Sequence, residues 1–411
     1  MRKKNQPEKP KRIELSAPAG NWCALRTAVK AGADSVYFGI RGLNMRQGAD
    51  NFDMLELGKI MDFLRGKDKK GYLALNTIIL NRDIKKSETI LIQAKKHGVH
   101  AVICWDMSLF SMARDLNLDI HLSTQAGVAN KNALKYYAQS GAKRVVIARE
   151  CGLDGITETA EFIKKEHIPC EIEVFIHGAM CVSVSGRCFL SHESFKKSAN
   201  KGECLQPCRR MFFIQDTDNE SGYRIGPDYL LSPKDLCVMP FIEKMMESGA
   251  DVFKIEGRNR SPEYVKEVTL CYHEAMAAYY GRRLDTRLKK GLLKRLGSTY
   301  NRGLDGGFYL EKPGGLDNSP RKGGEKIYAG RIMRFFSKIS VADVLVEKGP
   351  LKIGDKILVS GKHTPAEYCL IREMQMEKNP LQTALKGWRI GIKIPFKAHV
   401  NDKVFFIKES C

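Results

Sequence analysis

The chain has 411 residues, 43% of them hydrophobic and 28% charged, which excludes extensive disorder and allows a large buried core. It contains neither the roughly 18–20 consecutive apolar residues that cross a bilayer nor an apolar export segment near the N-terminus, so we expect a cytoplasmic protein without a membrane partner. Because 68 Lys+Arg oppose 47 Asp+Glu, the formal net charge is +21, which favours a polyanionic partner and nucleic acid above all.

A repeating unit runs through the chain up to about residue 280: an amphipathic stretch ends at a glycine, and a short Val/Ile-rich segment follows. The glycine is typical of a helix C-terminus, and the apolar segment is typical of a buried parallel strand. Four clear and four weaker copies give the candidate strands 12–19, 31–40, 71–80, 97–106, 118–125, 140–150, 171–178 and 248–258. These eight units predict an α/β fold, a (β/α)8 TIM-like barrel. An open doubly wound sheet is the alternative, although it normally has fewer strands.

Breaks in the pattern predict the domain organisation. After the seventh strand a long insertion interrupts the βα rhythm, and loops of that length are usually functional. Alternating short strands near the C-terminus predict a small closed all-β barrel. The predicted parts are a basic N-terminal arm (1–12), the (β/α)8 barrel (13–310) with its insertion (179–232), a Gly/Pro-rich linker (311–326) and the C-terminal β-barrel domain (327–411).

Four cysteines of the insertion form a C-x6-C-x15-C-x3-C array: Cys181, Cys188, Cys204 and Cys208. Cys237 follows beyond the insertion and is an alternative fourth member. Soft thiolate ligands suit zinc or an iron–sulfur cluster. Structural zinc sites usually contain two short C-x2-4-C pairs, and only one pair is close here. The spacing therefore favours a four-thiolate cluster over zinc, with thiols that bind no metal as a third possibility.

Polar residues close several of the candidate strands, where the active-site rim of such a barrel lies. Their set comprises Glu14, Ser16, Tyr37, Asn76, Asp106, Ser123, Gln125, Arg149, Glu150, His177, Glu256 and Arg258. Arg149 and Arg258 can grip carboxylates or phosphates in fork geometry. His177 directly precedes the insertion and can transfer protons or orient a ligand. The sequence contains neither an HExxH nor a G-x-S-x-G motif, whereas a Cys–His peptidase stays open because Cys181 is close to His177.

The motifs HLSTQAGVAN, EVFIHGAMCVSVSGRCFLS, ANKGECLQPCRR, SPKDLC and FKIEGRNRSPEYV strongly resemble the collagenase-like peptidase family U32. The resemblance covers roughly residues 13–270, and the tail from residue 327 resembles the C-terminal β-barrel of that family. Despite the name, better understood members resemble oxygen-independent hydroxylases that carry a 4Fe–4S cluster on four cysteines. Their branches act on tRNA wobble uridine, on ribosomal RNA cytidine or on a quinone precursor, and prephenate is the implied hydroxyl donor in several.

The resemblance implies that Cys181, Cys188 and Cys204 are the first three ligands of the cluster. The fourth ligand would match Cys208 by resemblance to the tRNA branch, whereas the later cysteine used in the quinone branch would point to Cys237. The chain length and the single barrel with its β domain resemble the tRNA branch and favour Cys208. We therefore expect a tRNA hydroxylase that forms 5-hydroxyuridine, works with prephenate and has a possible paired family-member subunit. A collagenase-like peptidase and a hydroxylase of another substrate are the alternatives.

For such a hydroxylase we hypothesise roles for the rim residues. Arg149 and Arg258 would hold the dicarboxylate, while Glu150, His177 or Glu256 would move protons. Ser123, Gln125, Asn76 and Tyr37 would bind substrate, and Tyr37 or Phe189 would stack on the splayed wobble base. The candidate phosphate contacts are the N-terminal arm, Lys196, Lys197, Arg209, Arg210 and the run 282–295.

Overall fold

The structure is a computed structural model that describes residues 12–210, 212–215, 222–225, 232–310, 325–377 and 379–408. Except for Arg12, the predicted N-terminal arm lies outside the described residues, and so does most of the predicted linker.

Eight parallel strands form a closed barrel with helices between them, as the sequence predicts. They are β1 (Glu14–Ala19), β2 (Ser35–Phe38), β3 (Lys70–Ala74), β4 (Ala101–Cys104), β5 (Asp119–Leu122), β6 (Ala142–Val146), β7 (Glu171–Gly178) and β8 (Val252–Ile255). β8 pairs with both β7 and β1, so the barrel has no free edge between them. Their residues are mostly buried because helices cover the outside and side chains fill the inside.

The barrel helices are α1 (Trp22–Lys30), α2 (Leu57–Arg65), α3 (Ile84–Lys96), α4 (Met107–Asp115), α5 (Lys131–Gln139), α6 (Leu153–Lys165), α7 (Ile242–Glu247) and α8 (Pro262–Tyr280), and α9 (Thr286–Gly297) follows. Short 3-10 turns occur at Met54–Glu56, Asn81–Asp83, Thr124–Ala126, Val184–Gly186, Ala199–Lys201, Pro207–Arg209 and Met239–Phe241. Asn21 and Asn130 cap α1 and α5 by accepting hydrogen bonds from Ala24 N and Ala133 N, both at 2.9 Å.

Charged side chains fill the barrel near the N-terminal ends of its strands. Arg144 is almost fully buried and lies 3.1, 2.7 and 3.4 Å from carboxylate oxygens of Glu14, Glu171 and Glu173. Lys254 adds an ion pair to Glu173 at 2.5 Å. Because Glu14 begins β1, it belongs to this internal layer at the N-terminal ends of the strands. Its expected place on the active-site rim was therefore wrong.

The insertion after β7 contains a short helix, Leu190–Phe195, and a hairpin of Phe212–Gln215 with Gly222–Ile225. It leads to a short strand, Asp235–Cys237, which pairs antiparallel with the end of β7 and parallel with Leu304–Asp305. The insertion is thus attached to the end of the barrel where the strands finish.

The C-terminal part is all-β, as predicted, and forms a half-barrel. Its strands are Glu325–Phe336, Val341–Val346, Leu351–Lys352, Lys356–Ser360, Glu367–Leu370, Met374–Met376, Asn379–Pro380, Thr383–Ala384, Arg389–Lys393 and Lys403–Lys408. Within the described residues, no pairing joins the two edges of the main sheet. This part contacts α1 and α8: Ala366 N donates to Thr27 Oγ1 at 3.0 Å and Lys266 Nζ donates to Ala366 O at 2.9 Å. The predicted domain boundaries stay predictions.

Candidate active site

A cavity of about 340 Å³ lies at the end of the barrel where the strands finish. Side chains at the ends of strands, such as Tyr37, Ala74 and Val146, line its floor. Residues 179–210, which we call the cysteine loop, supply much of its remaining lining. Active sites of this fold are built by the βα loops at this face, and a cavity with converging polar groups is the preferred candidate.

The four cysteines predicted as ligands all line this cavity: Cys181, Cys188, Cys204 and Cys208. Burial raises the pKa of Cys208 to about 11, the charge of Arg209 opposes that rise, and the charges of the other three cysteines add to it. The four sulfurs therefore lie close enough to influence one another, although the array spans much of the cysteine loop.

The donor set fits a 4Fe–4S cluster. Backbone amides point at two of the sulfurs, from Leu190 N to Cys188 Sγ and from Gln206 N to Cys204 Sγ, both at 3.4 Å, and such donors favour thiolates. Within the described part of the chain, no three His, Cys, Asp or Glu side chains lie close enough to hold one metal ion. Four cysteine thiolates are soft ligands of the kind that such clusters take.

Cys237 does not line the cavity. Its side chain is 2% exposed, and Tyr272 Oη donates to its Sγ at 3.7 Å. Burial raises the pKa of the Cys237 thiol to about 11, as expected for an inert buried cysteine. The structure thus brings Cys208, and not Cys237, to the other three cysteines.

The cysteine loop is held against the barrel by close backbone contacts. Gln47 N donates to Gly202 O at 3.0 Å, and Lys201 Nζ donates to Ile78 O at 2.7 Å. Gly202 has a φ of +85°, and a Cβ there would lie 2.1 Å from Asn44 O. Only glycine permits this backbone conformation and this approach at once.

Asn76, Ser123 and Gln125 join the floor of the cavity to the cysteine loop. Asn76 Nδ2 donates to Gln125 Oε1 at 3.2 Å and to Ser123 Oγ at 3.4 Å. Gln125 Nε2 in turn donates to Ser185 O at 3.1 Å. All three predicted residues line the cavity, and their hydrogen bonds assign them a role in positioning the loop.

The two aromatic candidates for stacking on a base differ in exposure. Tyr37 lines the cavity but is only 4% exposed, and its Oη donates to Ile255 O at 2.7 Å while Lys254 Nζ lies 4.3 Å from its ring centroid. Phe189, in the cysteine loop, is 70% exposed. Phe189 is therefore the more accessible ring, although it does not line the cavity, and Tyr37 is part of the cavity floor.

Three arginines surround Glu256 at the cavity: Arg46, Arg149 and Arg258. We call these four residues the Glu256 arginine group. Arg46 Nε donates to Glu256 Oε1 at 3.1 Å, and Arg149 Nη2 lies 3.8 Å from Glu256 Oε2. Burial alone would raise the pKa of Glu256, but the charges of the three arginines outweigh it and hold that pKa below its usual value. Glu256 is thus an ionised anchor for the arginines.

A second set, which we call the Asp235 arginine group, comprises Asp235 with Arg209, Arg260 and Arg302. The three arginines line the same cavity, whereas Asp235 is buried and is not part of the lining. Arg260 Nη2 donates to Asp235 Oδ2 at 2.8 Å, while Arg302 Nη1 lies 3.5 Å from Asp235 Oδ1. Burial lowers the pKa of Arg209 to about 10, and the charge of Arg302 is the next largest cause. The group therefore carries more positive charge than its single carboxylate balances.

His177 and Glu150 do not line the cavity, so the structure does not bring these two predicted proton-transfer residues to it. A β-bulge near the end of β7 is the reason for His177: Lys254 pairs with Phe175, but the next residue of β8 pairs with His177. The extra residue turns His177 outward, where its Nδ1 lies 3.3 Å from Tyr272 Oη on α8. Burial, with the charge of Arg260, lowers the pKa of His177 to about 3. Glu150 is exposed to solvent.

Two further rim candidates, Ser16 and Asp106, have structural roles. Ser16 is fully buried in β1, below the cavity. Asp106 caps α4, because its Oδ1 accepts a hydrogen bond from Ser108 N at 3.0 Å.

Sequence reasoning missed Arg46, Arg260 and Arg302 as cavity residues. Arg260 stands two positions after Arg258 in the same βα loop, which was an available signal. Arg46 and Arg302 lie in segments without a strand-end pattern, so only the closed barrel reveals where they belong.

Several candidate phosphate contacts lie on the surface. Lys196, Lys197 and Arg210 are exposed in the cysteine loop. Lys289 and Arg295 in α9 instead form ion pairs, to Glu243 and Glu267, both at 2.6 Å.

Among the helices of the described residues, none is long and apolar enough to span a membrane.

This chain is similar to proteins named for collagenase activity and to proteins named for RNA hydroxylation. A collagenase from Porphyromonas gingivalis is 39% identical over 403 residues, which are 96% of this chain and 97% of that protein. The tRNA hydroxylation protein P1 of Bacillus subtilis is 34% identical over 310 residues, 74% of this chain and 72% of that protein. A 23S rRNA 5-hydroxycytidine synthase of Escherichia coli is 32% identical over 276 residues, 67% of this chain and 41% of that protein. Residues 20–319 match the model of peptidase family U32, and the chain belongs to this family.

Proposed function

We propose that this protein is an iron–sulfur-dependent, oxygen-independent hydroxylase that forms 5-hydroxyuridine at the wobble position of tRNA. The observation that carries the proposal is that four cysteines and the Glu256 arginine group line one cavity at the mouth of the barrel. Relatives named for RNA hydroxylation, 34% and 32% identical, support RNA as the substrate class. The net charge of +21 agrees with a polyanionic substrate.

The Glu256 arginine group suits a small dicarboxylate such as prephenate. Three guanidinium groups and one ionised carboxylate leave two uncompensated positive charges, which match two carboxylates. Burial, followed by the charge of Arg46, lowers the pKa of Arg258 to about 10, so a bound anion would relieve the crowding of cations. Arginine binds carboxylates through paired hydrogen bonds, and Glu256 holds Arg46 and Arg149 in place for that contact.

Cys181, Cys188, Cys204 and Cys208 would hold the 4Fe–4S cluster, which supplies one-electron chemistry when bound. The cysteine loop would cover the cavity and exclude water from the reacting groups, because the Asn76–Gln125–Ser185 hydrogen bonds hold it over the strand ends. Phe189, with its exposed ring on the same loop, would stack on the RNA base that enters from outside.

Hydroxylation at C5 oxidises the uridine by two electrons, so the reaction needs an electron acceptor. The C–O bond of the donor breaks as the donor loses carbon dioxide and becomes aromatic, and the oxygen forms a new bond to C5 of uridine. The C5 proton leaves to solvent, and the two electrons pass one at a time to two equivalents of an oxidised one-electron carrier protein, which the proposal includes as a co-reactant.

A peptidase is the second candidate, because the 39% identical relative is named collagenase. A cysteine peptidase needs an imidazole beside its thiol. The ring of His177 instead packs 5.6 Å from the ring of Tyr272 on α8, and His177 does not line the cavity with Cys181. The geometry therefore favours the hydroxylase.

Nucleoside mass spectrometry of tRNA tests the proposal in a strain that lacks this protein. We expect 5-hydroxyuridine-derived nucleosides to disappear, to return with the wild-type gene and to stay absent with Cys208→Ser. Cys369→Ser, in the C-terminal sheet, is the matched control and should restore them. Unchanged nucleosides in the deletion strain would reject the proposal. Gelatin cleavage by pure protein that is lost in Cys181→Ser would support the peptidase.

A further inference from the structure

We infer that the Asp235 arginine group is a phosphate subsite that holds a phosphodiester of the RNA next to the nucleotide entering the cavity. This inference rests on the proposed function and deepens it, because it assigns a different bound anion to each of the two arginine groups at the cavity. The Glu256 arginine group would bind the small dicarboxylate, and the Asp235 arginine group would bind the RNA backbone.

The charges of the group indicate an anionic ligand. Asp235 is the carboxylate that its arginines share: Arg260 donates to one oxygen at 2.8 Å, and Arg302 lies 3.5 Å from the other. Arg209 Nη1 donates to the neutral amide oxygen of Gln206 at 2.5 Å. Three positive charges around one negative charge leave an excess of two, which a buried protein site tolerates poorly without a bound anion.

The side chain of Arg302 indicates where the anion would bind. Arg302 is 6% exposed, and its Nη2 donates to Tyr300 Oη at 3.0 Å. Its Nη1 forms the ion pair with Asp235 Oδ1 at 3.5 Å, but this pair lacks hydrogen-bond geometry, and neither atom has a hydrogen-bond partner within the described residues. A buried N–H without a hydrogen bond costs about 1–3 kcal/mol, so native proteins rarely keep one unless a ligand or water completes it. Because Arg302 lines the cavity, a phosphate oxygen in the cavity can accept a hydrogen bond from its guanidinium.

The arrangement suits a tetrahedral anion better than a planar one. The three guanidinium groups come from separate segments: Arg209 from the cysteine loop, Arg260 from the loop after β8 and Arg302 from the turn after α9. Donors from three directions can each reach a different oxygen of a phosphate, whereas a planar carboxylate is satisfied by one guanidinium fork.

The surroundings suit a polymer. Tyr300 lies between two of these arginines, with its ring centroid 4.6 Å from the guanidinium of Arg260 and 5.4 Å from that of Arg302. Tyr300 is 40% exposed, so the subsite opens to solvent. A phosphodiester continues into further nucleotides on both sides, and it therefore needs such an opening. The exposed Arg210 beside Arg209 extends the positive surface outward.

The inference is tested by measuring RNA binding. The measurement is fluorescence anisotropy with an anticodon stem-loop that contains a wobble uridine. Arg302→Gln and Arg260→Gln should bind roughly 10-fold more weakly at about 0.1 M salt, with a salt slope smaller by about 0.7 for each lost phosphate contact. Prephenate affinity should not change. Arg65→Gln is the matched control, since Arg65 is exposed, pairs with Asp62 and ends α2 at the opposite end of the barrel.

A second arm changes the RNA and leaves the protein intact. Single methylphosphonates on either side of the wobble uridine remove one backbone charge each. At one position this change should weaken RNA binding by wild-type protein about 10-fold, but it should not weaken RNA binding by Arg302→Gln any further. Equal salt slopes, or no sensitive position in the wild-type scan, would overturn the inference alone. Weaker prephenate binding in Arg302→Gln would also overturn it, by assigning the group to the donor. Failure of wild-type protein to bind any RNA would overturn the proposed function as well.

Discussion

Arg149 and Glu256 meet across the mouth of the barrel, with Arg149 Nη2 3.8 Å from Glu256 Oε2, although they follow β6 and β8. The guanidinium of Arg149 lies 4.0 Å from the ring centroid of Phe175 on β7, the strand between them. This stacking holds Arg149 toward the cavity, and Glu256 then orients it. Closure of the barrel thus brings two loops that are distant in sequence together to form one anion site.

Arg149 should dominate the affinity for the dicarboxylate. Replacing it by Gln removes one guanidinium fork, and we expect prephenate to bind about 10- to 100-fold more weakly. Arg149→Lys should recover little of this loss, because a lysine keeps the charge but not the fork. Isothermal titration of anaerobic protein checks both variants. Equal affinities for wild type and Arg149→Gln would contradict the assignment.

The two candidate fourth ligands should behave differently when each is changed to serine. Cys208→Ser removes a sulfur from the cavity, so the purified protein should lose most of its iron and visible absorbance. Cys237→Ser changes a thiol that is buried beside Tyr272, so iron content should stay at the wild-type level. Iron and sulfide analysis after anaerobic purification measures both. Iron loss in Cys237→Ser with full iron in Cys208→Ser would reverse the assignment.

Phe189 should contribute to RNA binding without contributing to stability. Its ring is 70% exposed, so Phe189→Ala should leave the thermal midpoint and the iron content unchanged. Loss of one stacked base should weaken binding of the anticodon stem-loop by about 10-fold. Tyr136→Ala on α5 is the matched control, since Tyr136 is 63% exposed and lies outside the cysteine loop. Similar RNA affinity in both variants would exclude stacking by Phe189.

Gly202 should determine whether the cysteine loop closes. Gly202→Ala places a methyl group 2.1 Å from Asn44 O, so we expect the loop to shift and the iron content to fall by more than half. Gly387→Ala is a closely matched control, because its φ is +89° and no atom lies within 4 Å of the added Cβ. If both variants keep their iron, the loop tolerates displacement and this contact is not required.

The internal charged layer should make the barrel sensitive to acid. Burial alone would raise the pKa of Glu14, but the charge and hydrogen bond of Arg144 outweigh it and hold that pKa well below its usual range. A carboxylate whose folded-state pKa is depressed stabilises the fold above its unfolded pKa of about 4.3, and this stabilisation is lost as pH falls. Glu14→Gln should therefore lower the free energy of unfolding by about 2–3 kcal/mol at pH 7.

Urea unfolding as a function of pH measures this effect. The difference between wild type and Glu14→Gln should shrink by about 1.4 kcal/mol for each pH unit below roughly 4.3. Glu158→Gln is the control, because Glu158 forms an exposed pair with Lys131 and should change stability by less than about 1 kcal/mol. A difference that does not depend on pH would show that packing, and not charge, makes Glu14 important.

Much of the fold could be predicted from local pattern. Asn21 and Asn130 mark helix starts because capping involves only neighbouring residues, and the repeated helix–glycine–strand unit indicates eight parallel strands. His177 shows where local pattern fails. One extra residue in β7 reverses which face of the strand a side chain occupies, and nothing in the letters EIEVFIHG indicates that bulge.

The βα repeat, the position of the long loop after β7 and the thiols within it can all be read from the amino-acid sequence, because these features depend on residues close together along the chain. Which charged side chains share the cavity depends on how the whole chain folds. Arg46, Arg149 and Arg258 approach one carboxylate because closure of the barrel collects the C-terminal ends of all its strands in one ring. Contacts between residues that are distant in sequence arise from that closure, and the local pattern of residues does not contain them.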